Sequence, residues 1–294
     1  MTKPYMCYYI TVFLDLLGTS SRYNRLEGIF NRSDEKEKQS IIKSVYYPLE
    51  FFRGIFNNYY KSFNDQQKTS KIQKILREEL KIETPNVNIQ TCSDSVILNL
   101  PLVTEHSRVP MISGLLPMIS ACSASCFLCA SKGILIRGGI EFGEGIQISE
   151  NEMIGKALSD AVELEKKYRQ PRIMIGPRLI KMLEEFSRIE TSEVTPFQAS
   201  MNKDVSWAIK KVICPAEKTD YALDYILVSE KGVYGEREEN PLPIDQIMLD
   251  LVRVIEKALN NPDYDEATHD KYVYLQKYVK SRIGMKKYKR LKVA

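Results

Sequence analysis

The chain has 294 residues, of which 44% are apolar and 27% are charged, so it can bury a sizeable core and has the composition of a globular protein. Its net charge is only +4, and much of the local positive excess lies in the tail Lys277–Lys292. This balance makes nucleic acid an unexpected partner for the protein as a whole. We interpret the tail as a solvated basic end, with contact to an acidic partner as the alternative.

Six cysteines are distributed along the chain, at Cys7, Cys92, Cys122, Cys126, Cys129 and Cys214. No secretory signal precedes them, because the N-terminus enters an apolar strand almost at once, so we expect a reduced, cytoplasmic chain. The three cysteines at helical spacing allow a metal site as one interpretation. No histidine or acidic residue lies in their run, however, and small buried cysteines are common, so we favour a role in the core.

The strongest strand signal lies near the start of the chain, over Tyr8–Leu14. Its seven consecutive β-branched, aromatic or leucine side chains are typical of a strand that is covered on both faces. Asp15 follows directly, and Gly18–Ser20 then provides a flexible turn with two hydroxyls, suited to open a phosphate-binding helix. A carboxylate beside such a turn can place a divalent metal against a phosphate chain. The alternative is an aspartate that only caps a turn.

The next segments are predicted from periodicity and turn residues. Arg22–Arg32 is expected to be an irregular polar connection, and apolar residues at three- and four-residue steps predict a helix over Asp34–Phe63. A charged helix is predicted over Lys68–Lys81. Two short strands are predicted within Asn86–Leu100, joined by a tight turn that carries Asp94 at its tip.

The run Val109–Ser131 contains no charged residue and is long enough to span a bilayer. Its five serines, two prolines and glycine dilute its hydrophobicity, and strand-like segments flank it on both sides. We therefore predict a buried helix and no membrane association.

The remaining elements follow the same reasoning, and two changes of pattern decide the domain organisation. We predict an α+β fold, a mixed sheet flanked by helices over residues 1–190, followed by an α/β extension over residues 191–294 that packs on it. The predicted strands are Ile134–Glu144, Pro171–Ile175, Val205–Cys214 and Tyr221–Val228. The predicted helices are Gly155–Tyr168, Pro177–Arg188, Ile244–Asn260 and Glu266–Ile283.

Three charged residues form the candidate site. Asp15 and Asp94 are far apart in sequence, but each lies at the end of a core strand, so the two carboxylates converge if those strands are neighbours. Carboxylates together with substrate phosphates are a usual way to hold Mg²⁺. Arg137 adds a planar donor for phosphate oxygens. Glu141 and Glu144 allow a general base pair, but we expect them to be solvent-facing strand carboxylates.

These motifs resemble those of the class III nucleotidyl cyclases. Phe13–Ser20 is similar to the first metal motif of that family, and Cys92–Ser95 is similar to its hairpin motif, with Ser93 at the position of a glycine. Arg137–Gly143 resembles its Arg-x-Gly-Ile-x-x-Gly strand, and Asn151–Leu164 its following loop and helix. The resemblance implies a ferredoxin-like, cyclase-type sheet.

The resemblance also implies roles for individual residues. Asp15, Asp94 and the Leu16 carbonyl would bind two Mg²⁺ or Mn²⁺ ions. The backbone N–H groups of Leu17, Gly18, Thr19 and Ser20 would hold the triphosphate of a nucleoside triphosphate, with Arg137 in contact with it. A head-to-tail homodimer is implied, in which each subunit completes the other's site.

The sequence departs from the family at the positions that read the base and act on the ribose. Gln90 and Glu152 occupy the base-reading positions, where the family has a lysine and an aspartate, so a pyrimidine base becomes a candidate substrate. Ser159 and Glu163 stand where the family has an asparagine and an arginine, and a carboxylate cannot stabilise a developing phosphorane as an arginine does. Lys156 or Arg169 are candidate substitutes for that arginine.

Two functions from different classes are therefore favoured, ahead of a third, a structural or nucleic-acid-linked role that uses the basic tail. The first is a metal-dependent cyclase that makes a 3′,5′-cyclic nucleotide and pyrophosphate, with a looser resemblance to the pyrimidine cyclases of bacterial anti-phage defence. The second is a catalytically degenerate module that senses a nucleotide or binds a partner.

Overall fold

A computed structural model describes residues 5–31, 34–69, 87–102, 112–149, 152–189, 195–216, 220–230 and 243–293. Its strands are β1 (Tyr5–Leu16), β2 (Asn88–Cys92), β3 (Ser95–Pro101), β4 (Ile136–Ser149), β5 (Glu152–Gly155), β6 (Ile173–Ile175), β7 (Ile213–Pro215) and β8 (Tyr221–Leu223). Its α-helices are α1 (Thr19–Asn24), α2 (Glu35–Thr69), α3 (Leu115–Ser131), α4 (Lys156–Lys167), α5 (Pro177–Phe186), α6 (Pro196–Lys211), α7 (Tyr225–Glu230), α8 (Ile244–Leu259) and α9 (Glu266–Val293).

The eight strands form one mixed sheet in the order β2-β3-β1-β4-β6-β8-β7, and β5 pairs with the C-terminal part of β4. Only the β4–β6 pairing is parallel among the described strands; the others are antiparallel. Helices cover both faces of the sheet. The predicted α+β class, a mixed sheet flanked by helices, is confirmed.

The central strand β1 buries one face against α3. Ile10, Val12 and Leu14 on that face are fully or almost fully buried and belong to the main core cluster. The serines of α3 lie inside the core because their hydroxyls donate to carbonyls one turn earlier, as Ser123 does to Ile119 at 2.8 Å. The predicted buried helix is confirmed over Leu115–Ser131. In the part of the chain that the structure describes, no helix combines the length and apolarity that crossing a bilayer requires.

Helix α4 packs on the opposite face of the sheet, and it comes so close to β4 that a side chain would not fit between them. A Cβ atom added at Gly139 would collide with the Ala161 carbonyl of α4 and lie 2.7 Å from the Leu164 Cβ atom. The absence of a side chain at this strand glycine therefore sets the distance between helix and sheet.

The structure corrects two strand predictions in the C-terminal part. Most of Val205–Cys214 belongs to α6, and only its last two residues lie in β7. The helix starts upstream at Thr195, whose hydroxyl accepts from the Gln198 N–H while the Gln198 side chain accepts from the Thr195 N–H. This capping box begins a helix before the apolar residues that favoured a strand, and the helix places its buried apolar residues on one face.

The second corrected strand is Tyr221–Val228, of which only Tyr221–Leu223 is β8. Asp224 ends the strand because its carboxylate accepts from the Leu227 N–H at 3.1 Å and so caps α7. Arg22–Arg32 is also less irregular than predicted, since α1 extends to Asn24 and a 3₁₀ turn forms at Ile29–Asn31. Strand β5 was not predicted. The predicted helix Lys68–Lys81 lies outside the described residues, apart from its first two residues, which end α2.

The strands of the C-terminal segment continue the same sheet. Met174 of β6 is the register partner of Ala222 of β8, and β8 pairs in turn with β7. Helices α8 and α9 contribute Leu251, Leu275 and other residues to the main core cluster. The division near residue 190 stays a prediction.

Glu141 is not the solvent-facing carboxylate that the sequence predicts. Its side chain is buried at 2% exposure and accepts from the Leu179 N–H at 2.7 Å and the Arg178 N–H at 3.4 Å, at the start of α5. A buried carboxylate is tolerated here because it meets the unpaired N–H groups and the positive end of the helix dipole. Burial raises the pKa of Glu141, and these backbone hydrogen bonds partly offset that rise.

The contact between α4 and β4 gives the first testable prediction. Replacing Gly139 with alanine should lower the free energy of unfolding by about 1–3 kcal/mol, because the added methyl group forces the helix away from the strand. The matched control is Gly54→Ala within α2, where a Cβ atom meets nothing within 4 Å. That control should be neutral or stabilising by up to ~1 kcal/mol. Urea unfolding of both variants measures the difference, and equal effects would contradict the close approach.

Candidate active site

The candidate site begins at the end of β1, where Asp15 lies between two neighbouring strands. Asp15 is the register partner of Ser95 in β3 and of Arg137 in β4. The Ser95 hydroxyl donates to Asp15 Oδ1 at 3.2 Å, and Arg137 donates to Asp15 Oδ2 from Nε at 3.2 Å and from Nη2 at 3.0 Å. Strand pairing therefore brings together residues that are 80 and 122 positions apart in sequence.

Asp94 occupies the turn between β2 and β3, which lies beside the end of β1. Its carboxylate accepts from the Thr19 hydroxyl, and its backbone carbonyl accepts from the Leu16 N–H at 3.3 Å. Ser93 adopts a left-handed conformation with φ 51°, which lets the turn close without the glycine that the family motif has. The predicted hairpin with Asp94 at its tip is confirmed.

The two carboxylates are near enough to act on each other electrostatically. Burial raises the pKa of Asp15, the charge of Asp94 raises it further, and Arg137 lowers it. A cation bound between the carboxylates would relieve this repulsion. Two carboxylates and a backbone carbonyl are oxygen donors of the kind that Mg²⁺ and Mn²⁺ take, so the residues present fit such ions. The described residues contain no cluster of three or more His, Cys, Asp or Glu side chains suited to a metal.

The turn after β1 contains one residue in a conformation that favours glycine. Gly18 has φ 80° and ψ 17°, and it precedes the short helix α1 with no side-chain cap. The Leu17 N–H donates to the Leu135 carbonyl at 2.9 Å, so it is engaged within the protein. The Thr19 hydroxyl also approaches the Leu16 carbonyl, at 3.4 Å. Ser20 is the second residue of α1.

Sequence reasoning missed Glu165, which completes the charge cluster. It lies on α4 with its side chain only 4% exposed and forms an ion pair with Arg137. Burial raises the pKa of Glu165 more than Arg137 lowers it. Arg137 thus lies between two carboxylates, Asp15 and Glu165, which fix its guanidinium. The only signal in the sequence was an acidic residue on the buried side of an amphipathic helix.

The two predicted base-reading residues lie far apart within one chain. Gln90 is on β2, where it is the register partner of Ile97 in β3, and Ile97 is in turn the partner of Phe13 in β1. Its side chain is therefore on the same face of the sheet as that of Asp15, two residues beyond Phe13. Its amide Nε2 is buried and lacks a hydrogen-bond partner among the described residues. Glu152 is exposed on β5, opposite Ser149 of β4. Ser149 is twelve residues beyond Arg137, or about 40 Å of strand, so one chain does not bring Glu152 to Asp15.

Helix α4, which follows β5, contains no arginine that could act in the site. Ser159 and Glu163 are both exposed on α4, and their spacing places them on the same side of the helix. Lys156 is on that side too, but its ammonium forms an ion pair with Asp160. Arg169 follows the helix, beyond its last residue, Lys167. Of the two candidate substitutes, only Lys156 therefore lies beside Ser159 and Glu163.

Comparison with known proteins gives the following results. No protein-family model matches the chain, and no curated protein sequence matches it significantly. Among solved structures, it is similar to the adenylyl cyclase CyaB from P. aeruginosa, with 13% identity, a TM-score of 0.34 and coverage of 76% of this chain and 96% of that one. It is also similar to the catalytic core of a rhodopsin-guanylyl cyclase with converted specificity, crystallised with ATPalphaS. That match has 13% identity, a TM-score of 0.32 and coverage of 62% and 84%.

The buried charge cluster gives the second prediction. Replacing Arg137 with methionine leaves Glu165 buried without its cation, so the free energy of unfolding should fall by about 1–3 kcal/mol. Adding Glu165→Gln to that variant should restore part of the loss, because the buried charge is gone. Urea unfolding in EDTA measures both steps. Lys156→Met, which breaks the exposed pair with Asp160, is the control and should have little effect.

Proposed function

We propose that the protein is a metal-dependent nucleotidyl cyclase, which converts a nucleoside triphosphate to a 3′,5′-cyclic nucleotide and pyrophosphate. The observation that carries this proposal is the convergence of the Asp15 and Asp94 carboxylates beside the Gly18–Thr19 turn. The resemblance of the same segments to the metal motifs of class III cyclases supports it. In the reaction, the ribose 3′-oxygen bonds to the α-phosphorus, pyrophosphate leaves, and the hydroxyl proton is released.

Each residue of the site has a distinct part in this proposal. Asp15, Asp94 and the Leu16 carbonyl would hold two Mg²⁺ or Mn²⁺ ions, which favour ionisation of the 3′-hydroxyl and neutralise charge on the phosphates. The resemblance assigns the backbone N–H groups of Gly18, Thr19 and Ser20, at the start of α1, to the triphosphate; the Leu17 N–H donates to the Leu135 carbonyl. Arg137 would direct part of its guanidinium to phosphate, while Glu165 keeps it in place.

The distance between the two base-reading residues supports a homodimer as the active form. Within one chain, Gln90 lies on the face of Asp15, while Glu152 lies on β5, opposite the far end of β4. A second copy in head-to-tail arrangement can supply the groups that one chain does not bring to its own metal site. The amide of Gln90 both donates and accepts hydrogen bonds, and Glu152 accepts them when ionised. Such a pair suits a pyrimidine as the base.

The third prediction tests the chemistry. With Mn²⁺ and each of the four ribonucleoside triphosphates in turn, the purified protein should give a cyclic monophosphate of one base, resolved by mass spectrometry. Asp15→Asn should abolish the product, because it removes a metal-binding carboxylate. Asp245→Asn, which removes an exposed carboxylate paired with Lys287, is the matched control and should retain full turnover.

The alternative function is a degenerate cyclase-like module that binds a nucleotide without converting it. The observation that favours it is Glu163 on the exposed side of α4, with no arginine on that helix. Metal-dependent binding of a triphosphate without product from any of the four would favour this alternative. Full product formation by a folded Asp15→Asn protein would contradict the metal site itself.

The fourth prediction tests the shared site. Asp15→Asn and Glu152→Arg should each be inactive alone, because each removes a group from every site of a homodimer. Mixing the two proteins and allowing subunits to exchange should restore roughly a quarter of wild-type turnover, since half of the dimers would then contain one intact site. Mixing Asp15→Asn with Asp94→Asn is the control and should restore nothing, because both residues lie in the same half of the site. Recovery in the control, or none in the test mixture, would contradict head-to-tail sharing.

A further inference from the structure

Each of the two carboxylates in the candidate active site accepts a hydrogen bond from a side-chain hydroxyl. The Thr19 hydroxyl, on the first residue of α1, donates to Asp94 Oδ2. The Ser95 hydroxyl, on the first residue of β3, donates to Asp15 Oδ1 at 3.2 Å. Neither hydroxyl has a part in the proposed reaction, in which Thr19 takes part through its backbone N–H. The two hydrogen bonds therefore need a separate explanation.

The Thr19 side chain lies between two of the three proposed metal ligands. It is buried, and its hydroxyl oxygen is 3.4 Å from the Leu16 carbonyl oxygen in addition to its bond with Asp94. The backbone supports the same arrangement, because the Leu16 N–H donates to the Asp94 carbonyl at 3.3 Å. The end of β1 and the β2–β3 turn are thus held together at this point by main chain and side chain.

Helix α1 holds the β2–β3 turn at a second point as well. Tyr23 lies one helical turn after Thr19, so the two side chains are on the same side of α1. The hydroxyl oxygens of Tyr23 and Ser93 are 3.2 Å apart. Because the class III cyclase motif has a glycine at the position of Ser93, this contact uses a side chain that the motif lacks. Two neighbouring residues of the turn, Ser93 and Asp94, are therefore held by α1.

The hydrogen bonds leave acceptor capacity on both carboxylates, each of which offers about four lone-pair sites. At Asp15, Oδ2 accepts from two nitrogens of Arg137, and Oδ1 accepts from the Ser95 hydroxyl. At Asp94, Oδ2 accepts from the Thr19 hydroxyl, and no donor within the described ranges bonds to Oδ1. Each carboxylate can therefore meet a cation while a hydroxyl holds its orientation.

A fixed orientation of the ligands matters for a small divalent cation. Mg²⁺ demands near-ideal octahedral geometry, so a carboxylate that rotates freely is a poorer ligand for it. Loss of a hydrogen-bond partner behind a metal ligand typically lowers metal affinity by about 10–100-fold. A hydroxyl suits this task because it is neutral. Unlike Arg137, it bonds to a carboxylate without offsetting the charge that attracts the cation.

We propose that Thr19 and Ser95 are positioning residues, which orient the Asp94 and Asp15 carboxylates for a divalent cation. Thr19 acts from α1 and Ser95 from β3, so each carboxylate has its own hydroxyl from a different element. The inference rests on the metal site of the proposed function. It concerns metal affinity, so its test does not require catalysis.

Calorimetric titration of the protein with Mn²⁺, without nucleotide, tests the proposal. Thr19→Val keeps the shape of the side chain but removes the hydroxyl, so the dissociation constant for Mn²⁺ should rise by about tenfold or more. Ser95→Ala should weaken binding in the same way. Thr19→Ser keeps the hydroxyl and should bind Mn²⁺ nearly as tightly as the wild type. The matched control is Ser44→Ala on α2, which removes a hydroxyl bonded to the Ile41 carbonyl at 2.7 Å and should leave binding unchanged.

The outcomes separate this inference from the proposed function. Weaker Mn²⁺ binding by Thr19→Val and Ser95→Ala, with Thr19→Ser like the wild type, would support positioning even if no nucleotide is cyclised. Equal affinity of Thr19→Val and the wild type would overturn it and leave the cyclase proposal standing. Weakening by Thr19→Ser as large as that by Thr19→Val would also overturn it, because the hydroxyl would not be the cause. A wild-type protein that binds no Mn²⁺ would overturn both the inference and the metal site.

Urea unfolding of the same variants in EDTA distinguishes positioning from a structural role. Thr19→Val and Ser95→Ala should lose Mn²⁺ affinity while they remain folded without metal. A fall in the free energy of unfolding with unchanged Mn²⁺ affinity would show that the hydroxyls only stabilise the turn, and would contradict the proposal.

Discussion

The antiparallel register of β1 with its two neighbours is the constraint on which the candidate active site depends. It places Asp15 opposite Ser95 and Arg137, and the β2–β3 turn then brings Asp94 to the same end of the sheet. A shift of one residue in either pairing would turn the Asp15 side chain to the other face, away from Arg137 and Glu165. Ile10, Val12 and Leu14 hold the register because they must face the core.

Burial and charge oppose each other at this site. Asp15 and Glu165 are both partly or fully removed from water, and burial raises the pKa of each, while Arg137 between them lowers both. Because one guanidinium is shared by two carboxylates, the cluster has a net negative charge, and the nearby Asp94 carboxylate adds to it. The repulsion within this cluster is what a bound cation would offset in the proposed metal site.

The C-terminal segment extends the sheet instead of only covering it. Strands β7 and β8 add to the edge at β6, and α9 lies beside them, so that Tyr274 of α9 lines the same cleft as Cys214 and Ala222. The carbonyl of Arg172, which lines that cleft, accepts from the Gly138 N–H at 3.0 Å, next to Arg137 in β4. This hydrogen bond joins the segment before β6 to the strand that carries Arg137.

The sequence by itself determined the central strand, the hairpin with Asp94, the buried helix and the α+β class, because those features follow from local periodicity and turn chemistry. It did not determine α6 or α7, where capping at Thr195 and Asp224 outweighed strand-like patterns. Only the tertiary structure decided the roles of Glu141 and Glu165. Each depends on partners from distant segments, and such pairing leaves no periodic signal in the chain.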